Sequence, residues 1–453
     1  MDNFERYFAG LKGKKILVLG LGVSNRPLVR LLLRHGCTVT GCDRTPREKL
    51  DPEVLELEKL GAELRVGDGY LTGLDAELVF RTPGMHPGNP AIRALADKGA
   101  EITSEMEVFF ELCPCTIIAV TGSDGKTTTT TLIGEMLKAQ GHRVWIGGNI
   151  GAPLLPHCPS MKPEDFAVVE LSSFQLMDMK RSPHIAVITN LAPNHLDVHK
   201  DMEEYIRAKC NIFRFQTEND KLVLNGDNPI TAGFAPAVPT LRFSRQHPCE
   251  GMFLEGDTVY RCRGGRTQAV LTRQDILLPG LHNVENYMAA MLAVEGLVSD
   301  QTVREVAGRF GGVEHRVELV RVKDGVRFYN DSIASSPSRT IAGLRCFPEK
   351  VILIAGGYDK HIPYDTLGPE IAEHVKKLYL TGATAPLIRA AVEKLPGCPP
   401  IVECGDFART VRLAAEGAEA GDVVLLSPAS ASFDRFRNFM ERGDCFKKIV
   451  SEL

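Results

Sequence analysis

A short loop between Thr121 and Thr128 contains the residues whose types and spacing best fit chemistry. It reads Thr-Gly-Ser-Asp-Gly-Lys-Thr-Thr and follows the apolar run 116–120. Glycines let backbone N–H groups approach an anion, Lys126 adds a full positive charge, and the Thr127 hydroxyl can bind Mg²⁺. The loop therefore predicts a triphosphate site, with these ATP ligands: Gly122, Ser123, Asp124, Gly125, Lys126, Thr127 and Thr128.

The loop is a shortened form of the P-loop, because Val120 stands where the longer pattern has its first glycine. A glycine turn between a buried strand and a helix, with an exposed lysine, is the alternative interpretation. The helical pattern after Thr128 favours the phosphate site, since strand, loop, Lys-Thr and helix follow in the right order. The motif indicates a nucleoside triphosphate without indicating its use.

Two polar residues end strand-like segments of the same region. Glu170 follows the apolar run 167–169, and His195 follows the run 185–189 by a few residues. Near-continuous apolar runs are typical of parallel sheets, whose strands all end at one edge. We therefore expect both residues beside the glycine loop. A salt-bridged surface glutamate and an ordinary loop histidine are the alternatives.

The bulk composition excludes several protein classes. The 453 residues are 44% hydrophobic and 24% charged, which is typical of a soluble globular chain of more than one domain. The net charge of -4 argues against a general nucleic-acid binder. We find no apolar run of about 18 residues and no signal peptide, so we expect no membrane span. Twelve scattered cysteines without zinc spacing indicate a cytoplasmic protein with reduced thiols.

A second glycine motif opens the chain. The buried-type run 16–19 leads into Gly20-Leu21-Gly22 with Asn25 at the position of a third glycine, and Asp43 ends the next strand. This arrangement is typical of a Rossmann-like domain, where an acidic residue reads a ribose. NAD(P) is one candidate ligand, although the incomplete fingerprint favours a different diphosphate on the same helix N-terminus.

A third series of strand-like runs follows residue 312, each ending in small or polar residues. The predicted fold class is therefore α/β with three domains. Residues 1–112 form a Rossmann-like domain, residues 113–311 a central P-loop ATPase-like domain with a parallel sheet, and residues 312–453 a C-terminal Rossmann-like domain. We expect this arrangement to bring ATP together with two further substrates.

The order of the motifs along nearly the whole chain resembles the Mur ligase family, the ATP-dependent amide-forming enzymes of peptidoglycan precursor synthesis. The motifs that carry the resemblance, besides the glycine loop, are 147–151, Glu-Leu-Ser-Ser-Phe-Gln-Leu at 170–176, Asn-His-Leu-Asp at 194–197, Ala208-Lys209, His282-Asn283, His315-Arg316, 330–332 and Leu-Leu-Ser-Pro-Ala at 425–429. No single piece is decisive, but their order and spacing are specific.

The resemblance implies a reaction and its substrates. ATP would activate the carboxylate of UDP-N-acetylmuramoyl-L-alanine as an acyl phosphate, and the amine of D-glutamate would displace phosphate. The family resemblance also implies a cytoplasmic enzyme with small-molecule substrates. We expect it to act as a monomer, without nucleic-acid or membrane partners.

The resemblance also implies two Mg²⁺ ions, one held by Thr127 and Glu170 and the other by His195 and Lys209. An ammonium cannot bind a cation, so Lys209 would carry a carbamate, which requires burial or nearby cations to lower its pKa. The catalytic residues implied are Lys126, Glu170, His195 and Lys209. Taken alone, Lys209 reads as a solvated helix lysine.

The remaining contacts carried over from the family divide by ligand. Further ATP contacts are Asn149, Asn283, Arg316 and Asp331, with helix capping as the alternative for Asn283. The UDP contacts are Val23, Ser24, Asp43, Arg44, Thr45, Thr82, Pro83 and Gly84. The muramoyl-alanine contacts are Ser172 and Gln175. The D-glutamate contacts are Lys360, Ser432, Phe433 and Phe439, although Phe433, Phe436 and Phe439 also have the spacing of a helical core face.

Two departures from the family pattern stand out. Ile333 occupies the place of a lysine expected near the D-glutamate carboxylate, and Asp124 replaces an asparagine in the phosphate loop. The alternatives to a D-glutamate ligase are a sibling ligase for another amino acid, a folylpolyglutamate synthase, and a regulatory protein that binds nucleotide without catalysis. The presence of Glu170, His195 and Lys209 argues against the last, because binding alone needs no second metal site.

Overall fold

A computed structural model describes residues 2–195 and 198–453, so Leu196 and Asp197 of the Asn-His-Leu-Asp motif lie outside the described residues. Within those ranges the strands form three sheets, of five, nine and six strands. Helices alternate with the strands in each part of the chain. The predicted α/β class with three sheets is confirmed.

The first sheet is parallel and has the order β3-β2-β1-β4-β5. Its strands are β1 (Ile16–Leu19), β2 (Val39–Asp43), β3 (Glu63–Val66), β4 (Leu78–Arg81) and β5 (Glu101–Thr103). Its helices are α1 (Asn3–Ala9), α2 (Asn25–Arg34), α3 (Pro52–Lys59), α4 (Pro90–Asp97) and α5 (Glu105–Leu112). A short 3₁₀ helix covers Arg47–Lys49. Central β1 is buried throughout. Because β1 lies between the parallel strands β2 and β4, the glycine loop that follows it lies at the carboxyl edge between their ends.

The second sheet has the order β14-β13-β12-β11-β10-β9-β6-β8-β7. Its strands are β6 (Thr116–Thr121), β7 (Val144–Gly148), β8 (Phe166–Glu170), β9 (Ile185–Ile188), β10 (Lys221–Asn225), β11 (Thr240–Ser244), β12 (Gly251–Glu255), β13 (Thr258–Arg263) and β14 (Arg266–Thr272). Strands β7 to β12 pair in parallel, as predicted, whereas β12, β13 and β14 form an antiparallel meander.

Helices α6 (Lys126–Ala139), α7 (Ser173–Leu176), α8 (Met202–Arg214), α9 (Pro229–Ala232), α10 (Leu281–Ala293) and α11 (Asp300–Arg309) belong to this part of the chain. Two 3₁₀ helices cover Leu155–Ser160 and Arg273–Asp275. Strand β6 lies between β8 and β9. The glycine loop, Glu170 and the segment after β9 therefore leave the sheet side by side.

The third sheet has the order β15-β16-β20-β17-β18-β19 and is parallel except for the β15–β16 hairpin. Its strands are β15 (Glu318–Lys323), β16 (Val326–Asn330), β17 (Val351–Ala355), β18 (Val375–Leu380), β19 (Ile401–Glu403) and β20 (Val423–Leu426). Its helices are α12 (Pro337–Leu344), α13 (Leu367–His374), α14 (Ala385–Val392), α15 (Phe407–Glu416) and α16 (Phe439–Glu452).

The chain divides into two compact units. The first contains Met1–Arg273 and Glu285–Val306, and the second contains Gln274–Val284 and Ala307–Leu453. The first two sheets therefore share one unit. The domain boundaries proposed at residues 112 and 311 remain a prediction.

Across the described residues, we find no helix that combines the length and the apolar character needed to cross a bilayer.

Candidate active site

The loop requires glycine at positions 122 and 125, because of the backbone conformation there and because of the lack of space for a side chain. Gly122 and Gly125 have φ values of 153° and 75°. A Cβ at Gly122 would lie 1.9 Å from the Thr189 hydroxyl oxygen, and one at Gly125 would lie 2.3 Å from the Asn286 amide oxygen. A larger residue at either position would have to displace these neighbours, so the loop can keep this path only with glycine.

Neighbouring segments hold the other loop residues. The Asp124 amide donates to the Asn190 side chain at 2.9 Å, and the Thr189 hydroxyl donates to the Asp124 carbonyl at 2.5 Å. Ser123 shares a hydrogen bond of 2.8 Å with the Tyr205 hydroxyl. Asp124 is exposed, so its two bonds with Asn190 and Thr189 hold its backbone.

Lys126 begins α6 and folds back over the loop. Its ammonium donates to the carbonyl oxygens of Gly122 and Ser123, each at 2.9 Å. Gly125 precedes the helix without a side-chain cap, so the first N–H groups of α6 face the loop. Thr128 is buried in the first turn of the same helix. The lysine charge and the helix N-terminus thus meet at one position.

Three oxygen- and nitrogen-bearing side chains meet beside Lys126. The Thr127 hydroxyl donates to Glu170 Oε2 at 2.7 Å, and the Asn149 amide donates to Glu170 Oε1 at 2.8 Å. Glu170, 1% exposed, ends β8, and Asn149 follows the neighbouring strand β7. A buried carboxylate with a hydroxyl beside it matches the hard oxygen ligands that Mg²⁺ prefers.

Lys209 lies buried beneath the loop and is only 2% exposed. Its ammonium donates to the Gly122 carbonyl at 2.9 Å and the Thr121 hydroxyl at 3.1 Å, and lies 5.0 Å from the centre of the Tyr205 ring. Burial, followed by the nearby charge of Lys126, lowers the Lys209 pKa well below its usual value. The structure thus supplies the environment that a reactive, uncharged lysine requires.

His195 is exposed, with a left-handed backbone conformation at φ 55°. Its ring lies 5.1 Å from that of Phe174, edge to face. A second histidine of this region, His199, is buried, stacks on the same Phe174 ring and bonds the Ser173 hydroxyl at 2.9 Å. Burial lowers the His199 pKa, and these contacts support the start of α7.

The residues predicted to bind UDP meet at the carboxyl edge of the first sheet. A Cβ at Gly20 would lie 2.7 Å from the Thr82 methyl group, so the loops after β1 and β4 touch. Both oxygens of Asp43 accept backbone N–H groups, from Leu21 at 2.8 Å and Thr45 at 2.9 Å. Burial opposes ionisation of Asp43, but these donors hold its pKa below its usual value. The same edge contains Val23, Ser24, Arg44, Pro83 and Gly84.

Ser172 and Gln175 bond each other at the start of α7. The Gln175 amide N–H donates to the Ser172 hydroxyl at 3.2 Å, while the Gln175 side-chain oxygen accepts from the Ser172 amide at 2.9 Å. This reciprocal pair caps the helix. The predicted contact with muramoyl-alanine therefore competes with a local structural role.

In the second unit, Asp331 is a buried carboxyl group. It accepts from the Ser427 hydroxyl at 2.7 Å and from the Val317 amide at 3.3 Å. Burial raises its pKa to about 7, and the charge of Arg316 acts in the opposite direction. Asn283 lies in the first turn of α10, and its side-chain amide donates to the Pro279 carbonyl at 2.5 Å.

The residues predicted to bind D-glutamate share the carboxyl edge of the third sheet. Tyr358, two residues before Lys360, pairs with Ala431, and its ring contacts that of Phe433 at 5.9 Å. Phe433 is 60% exposed, whereas Ser432 is buried. The backbone carbonyl of Phe439 accepts from the Ser332 hydroxyl at 2.7 Å. Phe433 and Phe436 precede α16, so the expected helical spacing of these phenylalanines is wrong, although Phe436 does pack in the core against Phe407.

Two buried arginines and a tyrosine near these sites escaped the sequence analysis. Arg81 ends β4, Arg442 donates to Ser332 and to the carbonyls of Ser430 and Ala431, and Tyr205 bonds Ser123. Only Tyr205 had a usable signal, since it lies one helical turn before Lys209. Each arginine also bonds a segment that is distant in sequence, since Asp178 is 97 residues from Arg81 and Ser332 is 110 residues from Arg442.

Comparison with known proteins gives two family matches. Residues 120–294 match the Mur ligase middle domain, and residues 315–430 match the Mur ligase glutamate ligase domain. Among solved structures, UDP-N-acetylmuramate-alanine ligase from Thermotoga maritima aligns with a TM-score of 0.60, 18% identity and coverage of 97% of this chain and 99% of that one. MurF ligase from Thermotoga maritima, solved with ADP, aligns with a TM-score of 0.55, 17% identity and full coverage of both chains. These two likenesses show the fold.

Curated relatives are much more similar. The UDP-N-acetylmuramoylalanine–D-glutamate ligase of Acetivibrio thermocellus is 52% identical, over 98% of this chain and 97% of its own. The enzyme of that name from Symbiobacterium thermophilum is 49% identical, over 98% of this chain and 100% of its own. The chain therefore belongs to the Mur ligase family, among its UDP-N-acetylmuramoylalanine–D-glutamate ligases.

Proposed function

We propose that this protein is an ATP-dependent ligase that joins D-glutamate to UDP-N-acetylmuramoyl-L-alanine during peptidoglycan precursor synthesis in the cytoplasm. The observation that carries the proposal is the glycine loop with Thr127 and Asn149 bonded to Glu170 on one side and buried Lys209 on the other. A phosphate site needs only the first part. The buried lysine adds a group that simple nucleotide binding does not use.

The reaction requires two anions to meet. An oxygen of the alanyl carboxylate attacks the γ-phosphorus of ATP, and the bond to the ADP oxygen breaks. The amine of D-glutamate then attacks the acyl carbon, phosphate leaves with the bonding electrons, and the amine gives up a proton. Lys126 and the N-terminus of α6 stabilise the phosphate charge in the first step, because both present positive charge to the loop.

The bond between Thr127 and Glu170 supports one Mg²⁺ site, and the family pattern supports a second at His195 and Lys209. Thr127 and buried Glu170 would hold the first, and His195 with a carbamate on Lys209 would hold the second. Bound Mg²⁺ would neutralise phosphate oxygens and align the reacting groups. The lowered pKa of Lys209 supports the carbamate, because only the neutral amine reacts with CO₂.

The substrate-binding roles divide between the two compact units. In the first, the loops after β1, β2 and β4 would bind UDP, and α7 would contact the muramoyl-alanine end. In the second, Asn283, Arg316 and Asp331 would contact ATP, while Lys360, Ser432, Phe433 and Phe439 would bind D-glutamate. Ile333, at the position where the family has a lysine, is held through its backbone. Its N–H donates to the His315 carbonyl, and its carbonyl accepts from the Arg339 guanidinium at 3.2 Å.

Phosphate release tests the proposal directly. The purified protein with ATP, Mg²⁺ and UDP-N-acetylmuramoyl-L-alanine should release phosphate only after D-glutamate is added, with one ADP per amide formed. L-Glutamate, L-lysine and L-alanine serve as controls for the sibling ligases, and a folate substrate serves for a folylpolyglutamate synthase. Release with another amino acid and none with D-glutamate would contradict the assignment.

A further inference from the structure

A buried arginine joins two segments that carry predicted substrate contacts. Arg81 is the last residue of β4, and its side chain is 1% exposed. An arginine so deeply buried needs a partner for its charge and acceptors for its N–H groups. Arg81 has both, and they lie on different parts of the first compact unit.

On one side, the guanidinium holds the loop that follows β4. Its Nη1 atom donates to the carbonyl oxygens of Thr82 at 3.1 Å, Pro83 at 3.4 Å and Met85 at 2.6 Å. Thr82 and Pro83 belong to the Thr82–Gly84 segment that we assign to the UDP end of the precursor, and Met85 follows it. Because Thr82 also packs against Gly20, a shift of this loop would disturb the glycine loop after β1.

On the other side, the guanidinium holds α7 and the residues after it. Its Nε and Nη2 atoms donate to the two oxygens of Asp178 at 3.0 and 2.5 Å, and Nη2 also donates to the Phe174 carbonyl at 3.3 Å. Phe174 lies in the helix that Ser172 and Gln175 cap. The muramoyl-alanine segment is therefore tied to the same side chain as the UDP loop.

Only arginine can make this set of bonds, because its planar fork meets a carboxylate with two parallel N–H groups and keeps others for carbonyls. We infer that Arg81 and Asp178 are positioning residues that set the spacing between the Thr82–Gly84 loop and α7 for the UDP-linked precursor. This inference rests on the proposed function.

Asp178 needs the arginine to keep its place. Its side chain is 31% exposed and lines a cavity of about 260 Å³ that Arg93 and Arg207 also line. Without Arg81 the carboxylate could turn toward either of these cations or toward water. The two-pronged bond to Arg81 thus selects one orientation among several available ones.

Kinetics of two variants test the inference. Asp178→Asn keeps the shape but removes the charge, and Arg81→Lys keeps the charge but removes the fork. Each should raise KM for UDP-N-acetylmuramoyl-L-alanine about tenfold, while kcat and the KM values for ATP and D-glutamate change less than about twofold. The double variant should be no worse than the poorer single variant, because both changes break one bond.

The Arg261–Asp300 pair supplies a matched control in the same unit. It is also a two-pronged bond, from Nη1 and Nη2 of Arg261 to the two oxygens of Asp300 at 3.1 and 2.5 Å, but it lies between β13 and α11. Asp300→Asn and Arg261→Lys should lower thermal stability without changing any KM.

The possible outcomes distinguish the inference about Arg81 and Asp178 from the proposed function. A precursor KM that moves no more in Asp178→Asn than in Asp300→Asn would overturn the inference and leave Arg81 as a fold-supporting residue. If Arg81→Lys fails to fold, Asp178→Asn decides alone, because water can reach its partly exposed side chain. Failure of the unmodified protein to release phosphate with precursor and D-glutamate would instead contradict the proposed function.

Discussion

Two lysines, one buried and one half-buried, show how the surroundings of a residue decide its chemistry. Lys209 and Lys221 both have a lowered pKa, chiefly because of burial. Lys221 donates to the carbonyls of Leu292 and Glu295, each at 3.4 Å, at the amino end of β10. Lys209 instead lies under the phosphate loop and beside Lys126. Only Lys209 is placed to act on phosphate-bound substrates.

We predict that Lys209→Ala lowers the rate of phosphate release at least about 100-fold, since it removes both the amine and the proposed carbamate. Added short carboxylic acids should restore part of the rate by filling the space of the lost side chain. The measurement is the phosphate-release rate with and without the acid. Lys221→Ala is the matched control and should keep its activity; an unchanged rate in Lys209→Ala would refute the carbamate proposal.

Local motifs predicted the residues that lie within a few positions of a strand end. Thr127 and Glu170 were predicted as a pair and Asn149 separately as an ATP contact, each from a recognisable motif, and the structure brings the three into one hydrogen-bonded group. The Arg81–Asp178 pair could not be predicted. Its members are 97 residues apart, and neither a periodicity nor a glycine pattern marks them.

At the scale of elements, α6 depends on a glycine that faces its neighbouring strand. A Cβ at Gly134 would lie 2.5 Å from Cδ1 of Ile146 on β7. Gly134 has no positive φ, so alanine would be favoured there by helix propensity alone, by about 1 kcal/mol. Close approach of helix and strand therefore opposes the propensity.

We predict that Gly134→Ala loses most of the roughly 1 kcal/mol that helix propensity alone would add to stability, because the new methyl group must displace Cδ1 of Ile146. The same change made with Ile146→Val should lose less of it, since valine lacks the crowding Cδ1 atom. Denaturant unfolding of the four proteins in this cycle gives the coupling energy. Equal effects in both backgrounds would show that the strand moves away instead.

The apolar runs predicted the parallel strands well, because a central strand buried on both faces reads as a continuous hydrophobic segment. The antiparallel β12–β14 meander was less visible, since its strands alternate or are exposed, as in Arg266–Thr272. The spacing of Phe433, Phe436 and Phe439, before and within α16, gave a misleading helical pattern. Their spacing of three matches a helix, but only Phe439 lies in one.

At the scale of the molecule, the first unit contains an acid whose charge opposes folding. Glu105, at the start of α5, is fully buried and accepts from the Leu155 amide at 3.3 Å. Burial raises its pKa to about 7, above the value in an unfolded chain. The folded state therefore binds more protons than the unfolded state between about pH 4.5 and 7.

From this difference we predict that stability decreases as pH rises from about 4.5 to 7 and that this loss persists above pH 7. Glu105→Gln should remove this contribution, so the variant should exceed the unmodified protein by roughly 3 kcal/mol at pH 8 and come close to it near pH 4.5. Melting temperatures measured from pH 5 to 8 provide the test. Exposed Glu164→Gln is the control, and a parallel shift at every pH would contradict the linkage.

The sequence predicted three α/β sheets but could not predict the division into two compact units. Local patterns report strands and helices, whereas the division depends on which surfaces pack together. Residues 274–284 show the difference, because they cluster with the C-terminal part of the chain although the residues on both sides of them, up to Arg273 and from Glu285, belong to the first unit. The domain limits at 112 and 311 therefore stay a hypothesis.

One backbone oxygen in the glycine loop accepts hydrogen bonds from two lysines. The Gly122 carbonyl accepts from both Lys126 and Lys209, each at 2.9 Å. The proposed carbamate on Lys209 would keep one N–H group but remove the positive charge of this lysine, so that Lys126 would remain as the charged donor to the oxygen. The Gly122 carbonyl thus links the proposed modification of Lys209 to the charge balance around Lys126.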